Sequence, residues 1–409
     1  MNINNIIDKL ERHEIKLHEL ESELSIEDAA QARKAYLEFK TGKSFNSLSR
    51  YNFDLESIFK RNCENVIGGV SIPVGIAGPI RVNGQNSNGD YFVPIATTEG
   101  ALIASINRGC KIISLAGGAY SIIELKGISR APILKVNNIQ EAKELKDWIK
   151  SHFDQLKHIA EKTSEHICLL DTKTYSNGKY VWLRINYDTQ DAMGMNMAVV
   201  ATQEIVKYIE AQLKNVKTVA LSGNVCVDKK PAAINIIEGR GKILETEVTL
   251  SKELVEKHLK TTVSKMIEVN KSKIWIGGHM SGSMGFNAHI ANMIAGIFIA
   301  TGQDIAHVVD ASTSSVNMDY DGEDLYINLR IPALNIGTVG GGTELPGQKE
   351  CQEILTYNVT NGNNSKFNKT ERMAEIIGAA VLAGEISLHA AFSSNSFVCA
   401  HKNLGRRKT

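Results

Sequence analysis

PILKVNNIQEAKELKDWIKSHF, residues 132–153, decides how this chain is read. An apolar run of strand length, PILKV, is followed by a charged helical segment, IQEAKELKDWIKSHF. Further on, YVWLRINY (180–187) alternates as a strand. A loop carrying DAMGMNM (191–197) then enters a helix over MAVVATQEIVKYIEAQLK (197–214). Strand–helix–strand–strand–helix order predicts a small α/β sandwich, ferredoxin-like in style, over residues 132–218. Glycine-rich sequence lies on both sides of it, so the block reads as an insertion in a larger domain.

That larger domain is expected over 51–131 and 219–390. ENVIGGVSIPVGIAGPIRV (64–82) suits short strands and turns, and FVPIATTEGALIASINRGCKII (92–113) reads as a loop capped by Thr97 or Thr98 that enters a helix. After 219 the chain is dense in Gly, Ala and Ser, with long helical spans over 254–270, 286–309 and 373–392. Residues 1–50 predict a helical docking or dimerisation arm. Ile3, Ile7, Leu10, Leu17 and Leu24 recur at helical intervals, Ser25 with Asp28 resembles a capping box, and Gly42 is placed to end the second helix. Residues 391–409 form a short basic tail. The fold class is therefore α+β.

Composition narrows the function. The chain has 409 residues, 43% of them hydrophobic, which is ample for a real core. A net charge of +1 with 22% charged residues points to neither nucleic acid nor a strongly charged surface as a partner. Cys63, Cys110, Cys168, Cys226, Cys351 and Cys399 lie far apart with no C-x-x-C pair, which predicts neither a disulfide framework nor a zinc site and suits a reducing cytoplasm. No metal site is expected. The N-terminus shows no signal-peptide pattern, and the longest apolar stretch, near 293–302, is too short to span a bilayer, so no membrane partner is expected.

Several places put ionisable residues in tight context. Glu99 in TTEG stands at an expected helix N-terminus, as a capping residue or as an acid. Lys229 in DKKPA either belongs to a solvated turn or, kept protonated by a carboxylate, stabilises an oxyanion. Asp304 in GQDIAH follows an apolar segment, where a charge needs a partner, structural or catalytic. His401, near the C-terminus, is a solvated tail residue or a proton donor that enters a site late. TVGGGT (338–343) offers backbone N–H groups to an anion or a flat ring, or is simply a tight turn. No G-x-G-x-x-G or P-loop fingerprint is present. Two carboxylates, a lysine, a histidine and a glycine-rich loop would suit carbonyl reduction.

ENVIGGVSIPVGIAGPI, ATTEGALIASINRGC, DAMGMNM, SGNVCVDKKPAAINIIEGRGK, NAHIANMIAGIFIATGQD and TVGGGT together resemble 3-hydroxy-3-methylglutaryl-CoA (HMG-CoA) reductases, and DAMGMNM with DKKPA resembles the class I branch. The resemblance implies reduction of HMG-CoA to mevalonate and CoA with two NADPH, NADH being the alternative cofactor. It implies that Lys229 stabilises the carbonyl oxygen, Glu99 donates a proton, Asp304 tunes the cluster, and His401 protonates the departing thiolate. Arg130, Ser222, Asp228, Lys230, Lys273, His289 and Asn292 match positions that hold the HMG moiety. Ser105, Asn107, Arg108 and Lys260 match positions facing CoA. Asp191, Met193, Gly194, Met195, Asn196, Val339 and Gly340 match positions facing the dinucleotide, in a cofactor domain that would be the 132–218 insertion. An obligate homodimer, or a dimer of dimers, is implied, with active sites across the interface.

The chain departs from that pattern in three places. GSMGFNAH (282–289) is one residue shorter than the usual stretch before NAHIAN. Glu165 stands where many members place an arginine for the 2′-phosphate of NADPH, and a carboxylate there suits a ribose 2′-hydroxyl. Arg407 occupies the position of a serine phosphorylated in animal and plant enzymes, so no such switch is expected. Two other functions compete: NAD-dependent oxidative breakdown of mevalonate, and a non-catalytic acyl-CoA or nucleotide binder.

Overall fold

The computed structural model describes residues 3–359 and 368–394. Two sheets share one strand. In the larger, β1 (Val74–Gly84) pairs antiparallel with β2 (Asn88–Ala96) and parallel, through Val82–Gly84, with β3 (Ala119–Arg130). β3 then pairs antiparallel with β8 (Gly241–Leu250), β8 with β10 (Asp324–Leu334), and β10 with β9 (Ser315–Asp321). The last residues of β3, Ile128–Arg130, cross over to pair with Ile185–Tyr187 of β6 (Tyr180–Asp188). The smaller sheet runs β7 (Lys217–Ala220), β4 (Ile133–Lys135), β6, β5 (Cys168–Asn177), all antiparallel.

The strand alternation in YVWLRINY has an unexpected second half. Val181, Leu183, Ile185 and Tyr187 enter a core closed by the helices Ile139–Ser151, Phe153–Glu161 and Met195–Gln212. The opposite face, Trp182, Arg184 and Asn186, is not solvated: Arg184 is fully buried and Asn186 nearly so. The loop 221–232 covers that face, and this contact positions the site. The expected helix ending at Phe153 instead stops at Ser151, and a second helix follows at once. A fourth strand, β7, closes the small sheet.

The larger core is built around one helix, Lys369–Ser393, buried along most of its length. It is apolar and long enough to cross a membrane by composition, but 83% of its most apolar window is buried inside the protein. Gly109 lets the helix Leu102–Leu115 press against it: a Cβ there would lie 1.9 Å from the carbonyl oxygen of Ala383. The N-terminal arm forms helices Ile3–Glu11 and Ile26–Thr41, with Ser25 Oγ accepting from the Asp28 N–H at 3.1 Å and Gly42 left-handed at φ 65°. Its small core uses Leu10 together with Ile6, Ile15 and Leu20, with Leu17 and Leu24 packed against it, and the chain turns at His13, φ 57°.

The long helix expected over 286–309 is broken. Its regular part is Ile290–Thr301, and Gly302 at φ 69° caps it where a Cβ would strike the Gly342 carbonyl at 2.2 Å. The chain reverses there, which brings Asp304 back to the site.

Candidate active site

The loop 221–232 carries the DKKPA residues and is pinned from below. Trp182 Nε1 donates to the Gly223 carbonyl at 3.0 Å, Arg184 Nη1 to Val225 at 2.8 Å, and the Gly223 N–H to the Ala131 carbonyl at 2.6 Å. Ser129 Oγ donates to Cys226, and Asn235 Nδ2 to Val227. These bonds hold three non-glycine residues at positive φ within six positions: Asn224 at 64°, Val227 at 43° and Lys229 at 58°. A β-branched residue with positive φ is a costly conformation and persists only where surroundings over-determine it.

That strain aims Lys229 at Asp304. Lys229 Nζ lies 2.7 Å from Asp304 Oδ2, and both side chains keep about a third of their surface open, 39% and 34%. Asp304 caps the short turn Ile305–His307, accepting from the Ala306 N–H at 3.2 Å. Partial burial works against its ionisation. The bond from Lys229, the nearby His307 ring and the Ala306 N–H outweigh that and hold the carboxyl below the ordinary carboxylate range. A stable carboxylate keeps its lysine cationic, which is what an oxyanion requires.

Beneath the pair lies a network the sequence reading missed. Arg240, fully buried, donates to Ser129 at 3.0 Å, to Asp310 at 2.9 Å and to Asp228 at 2.9 Å. Asp310, also fully buried, accepts from the Lys230 N–H at 3.1 Å, from Asn335 at 3.1 Å and from His307 Nδ1 at 2.8 Å. Asp228, His307 and Asp310 offer ligand atoms within 4.8 Å of one another. The Arg240 guanidinium already bonds both carboxylates and would repel a cation. Arg240 lay inside the quoted EGRGK and His307 three residues after Asp304. The available signal was charge inside an apolar stretch, which requires partners.

Around this pair, Arg130 ends β3 with its Nε buried and no hydrogen-bond partner among the described residues. Ser222, exposed, is tied near it through the Gly223–Ala131 bond, and the Lys230 side chain is exposed. A cleft of about 670 Å³ opens beside Pro231, Ser283, Gly285, Asn287 and Ala291. The turn carrying His289 and Asn292 is set by the fully buried Glu385, whose oxygens accept the N–H groups of Ala288 and His289, each at 2.8 Å. His289 Nε2 meets the Gly384 carbonyl at 3.0 Å. Lys273 sits over the Phe392 ring at 4.7 Å.

Three of the four expected CoA-facing residues are engaged within the protein. Ser105 Oγ meets Ser387 Oγ at 2.9 Å, and Arg108 bonds the Ser387 side chain and carbonyl. Burial lowers the affinity of Arg108 for its proton. Asn107 accepts from the Gly78 N–H at 2.7 Å. Lys260 is exposed at φ 58°, where the expected helix over 254–270 is interrupted. Glu99 is exposed on a Thr97-capped turn before the helix starts at Leu102, and no ion pair joins it to Lys229. His401, with Arg407, lies outside the described residues.

The two loops expected at the dinucleotide do meet. Ala192 and Val339 form a parallel bridge, and the Thr338 N–H donates to the Asp191 carbonyl at 2.7 Å. Gly337 permits the approach: a Cβ there would lie 2.5 Å from the Met193 nitrogen. Gly194, φ 83°, starts the helix Met195–Gln212, so Asn196 lies in its first turn. Val339 is 47% exposed and Gly340 is at φ 79°. The Asp191 carboxylate faces inward and binds Thr370 Oγ1 at 2.8 Å. An exposed helix start beside a glycine loop fits the phosphates of a dinucleotide. Glu165 is exposed nearby, one residue before His166, which bonds Gln190 at 3.2 Å.

A family model for hydroxymethylglutaryl-coenzyme A reductase matches residues 29–406. The chain is 44% identical over 411 residues to the 3-hydroxy-3-methylglutaryl-coenzyme A reductase of Methanocaldococcus jannaschii, covering 99% of this chain and 100% of that one. It is 42% identical to the protein of the same name from Haloferax volcanii, covering 98% of each. In the fold it is similar to the class II 3-hydroxy-3-methylglutaryl-CoA reductase from Streptococcus pneumoniae bound to NADPH. That match has a TM-score of 0.66 and 18% identity, over 92% of this chain and 100% of the other. Motifs, fold and full-length relatives agree, and the chain belongs to the hydroxymethylglutaryl-coenzyme A reductase family.

Proposed function

We propose that the protein reduces HMG-CoA to mevalonate and CoA, using two NADPH, in the mevalonate pathway of isoprenoid synthesis. The observation that carries the mechanism is the Lys229–Asp304 pair at 2.7 Å, on a strained and pinned loop. NADPH, when bound, supplies hydride to the thioester and then to the aldehyde. Both additions place negative charge on the same oxygen, and Lys229 stabilises it while Asp304 keeps Lys229 protonated. Arg130, with its unused Nε, and Lys230 are the cations for the free carboxylate of the HMG moiety. Asp228, bonded to Arg240, sets the base of the same loop.

The remaining assignments belong to this reading. Residues 132–218 form a ferredoxin-like dinucleotide domain inserted in the larger domain, which the order β7–β4–β6–β5 supports. DAMGMNM and DKKPA support assignment of the chain to class I. Glu99 donates the proton in aldehyde reduction, and with no ion pair to the Lys229 of its own chain it is assigned to the site of a second copy. Exposed Val70, Ile72, Val74 and Ile76, close together in sequence, support an obligate dimer. His401 protonates the departing CoA thiolate, which stops it re-adding to the aldehyde. His401→Gln should therefore cripple thioester reduction and spare mevaldehyde reduction. Equal loss in the two assays would refute that division of labour.

A further inference from the structure

His307 is fully buried between the reacting pair and the network below it. Its Nδ1 lies 2.8 Å from Asp310 Oδ2, an acceptor already bonded to Arg240, so Nδ1 carries a proton. Its Nε2 has no hydrogen-bond partner among the described residues and faces two carboxylates, Asp228 Oδ1 and Asp304 Oδ2, each at 3.8 Å. A lone pair in that place would confront two anions in a buried setting, whereas an N–H would be attracted by both.

The local charge balance points the same way. Asp228 comes from the loop 221–232, while Asp304 and Asp310 flank His307 on its own segment. Arg240 comes from the start of β8, and Lys229 lies beyond Asp304. Asn335, from the end of β10, is neutral. By ion pair these three carboxylates meet two cations, Arg240 and Lys229; the Lys230 amine is exposed and reaches only the Asp228 carbonyl, at 3.5 Å. We infer that His307 is a positioning residue: as an imidazolium it holds the Asp304 carboxylate ionised and in place, and so keeps Lys229 aimed at the reacting oxygen. This rests on the reading of Lys229 as the group that stabilises that oxygen.

His307→Gln keeps a polar side chain toward Asp310 but cannot carry the charge. At saturating substrate its kcat should fall about tenfold near neutral pH, with KM for HMG-CoA changed by less than about twofold. The kcat profile against pH should differ in shape from that of wild type. A variant with a proportional loss and an unchanged profile shape would overturn the inference, since a purely structural role predicts that result. Nitrogen-15 NMR of histidine-labelled wild-type protein tests the charge without a variant or an assay. Among the described residues the other fully buried imidazole is His389, which bonds through Nδ1 to the Glu385 carbonyl and through Nε2 to the Asn270 amide; burial lowers its proton affinity and outweighs the Glu385 carboxylate at 3.8 Å. A single slowly exchanging ring with both nitrogens protonated at about pH 7 is expected. A bare nitrogen on every buried ring would overturn the inference while leaving the reductase reading intact.

Discussion

At the residue scale the proposed chemistry concentrates on Lys229, which sits in a left-handed conformation and is bonded to one carboxylate. Lys229→Ala should abolish reduction of both HMG-CoA and mevaldehyde, because in the proposed mechanism each step develops charge on the oxygen that this lysine would stabilise. Assays with the two substrates check it. Asp304 makes a separate prediction about stability. Its folded pKa is lowered, so its contribution is fully present above the unfolded carboxylate range and is lost as pH falls through the folded value. In urea unfolding, the stability gap between wild type and Asp304→Asn should be widest above about pH 5 and close toward roughly pH 2. A gap that widened in acid would contradict the ion-pair account.

At the scale of elements, β6 does two jobs with its two faces. One face fills the small core, and the other holds the site loop through Trp182 and Arg184. Arg184→Met would leave the Val225 and Gly239 carbonyls without their buried donor, at a cost of about 2–3 kcal/mol. Its kcat should fall although no atom of Arg184 reaches the substrate, which steady-state kinetics on folded protein would show. Gly109→Ala drives a methyl into the Ala383 carbonyl of the central helix and should cost about 2–3 kcal/mol, read as a lowered Tm. What was legible at this scale was periodicity: the PILKV and YVWLRINY strands, the Met195–Gln212 helix and the Ser25 cap all follow from local pattern. Breaks were not legible. The reversal at Gly302 depends on the Gly342 backbone, forty residues away in sequence, and the burial of Arg184 depends on the loop 221–232, outside its own strand.

For the whole molecule, the site residues come from distant parts of the chain, and the sequence alone could group them only through family likeness. Local pattern marked Lys229 and Asp304 as ionisable groups needing partners, and their 2.7 Å contact answers that need. The Arg240–Asp310–His307 network stayed hidden, because nothing local tells a buried arginine from a solvated one. If Glu99 serves the site of a second copy, two inactive variants complement each other. Glu99→Gln and Lys229→Ala protein, unfolded together and refolded as a mixture, should regain about a quarter of wild-type activity, since half the dimers are mixed and each has one complete site. No recovery would place Glu99 and Lys229 in the same copy. The central claim is tested most directly by steady-state oxidation of NADPH with HMG-CoA, wild type beside Lys229→Ala. The account predicts two NADPH oxidised for each mevalonate formed by wild type and no turnover by the variant. No NADPH oxidation by wild type, or equal rates from both proteins, would contradict it.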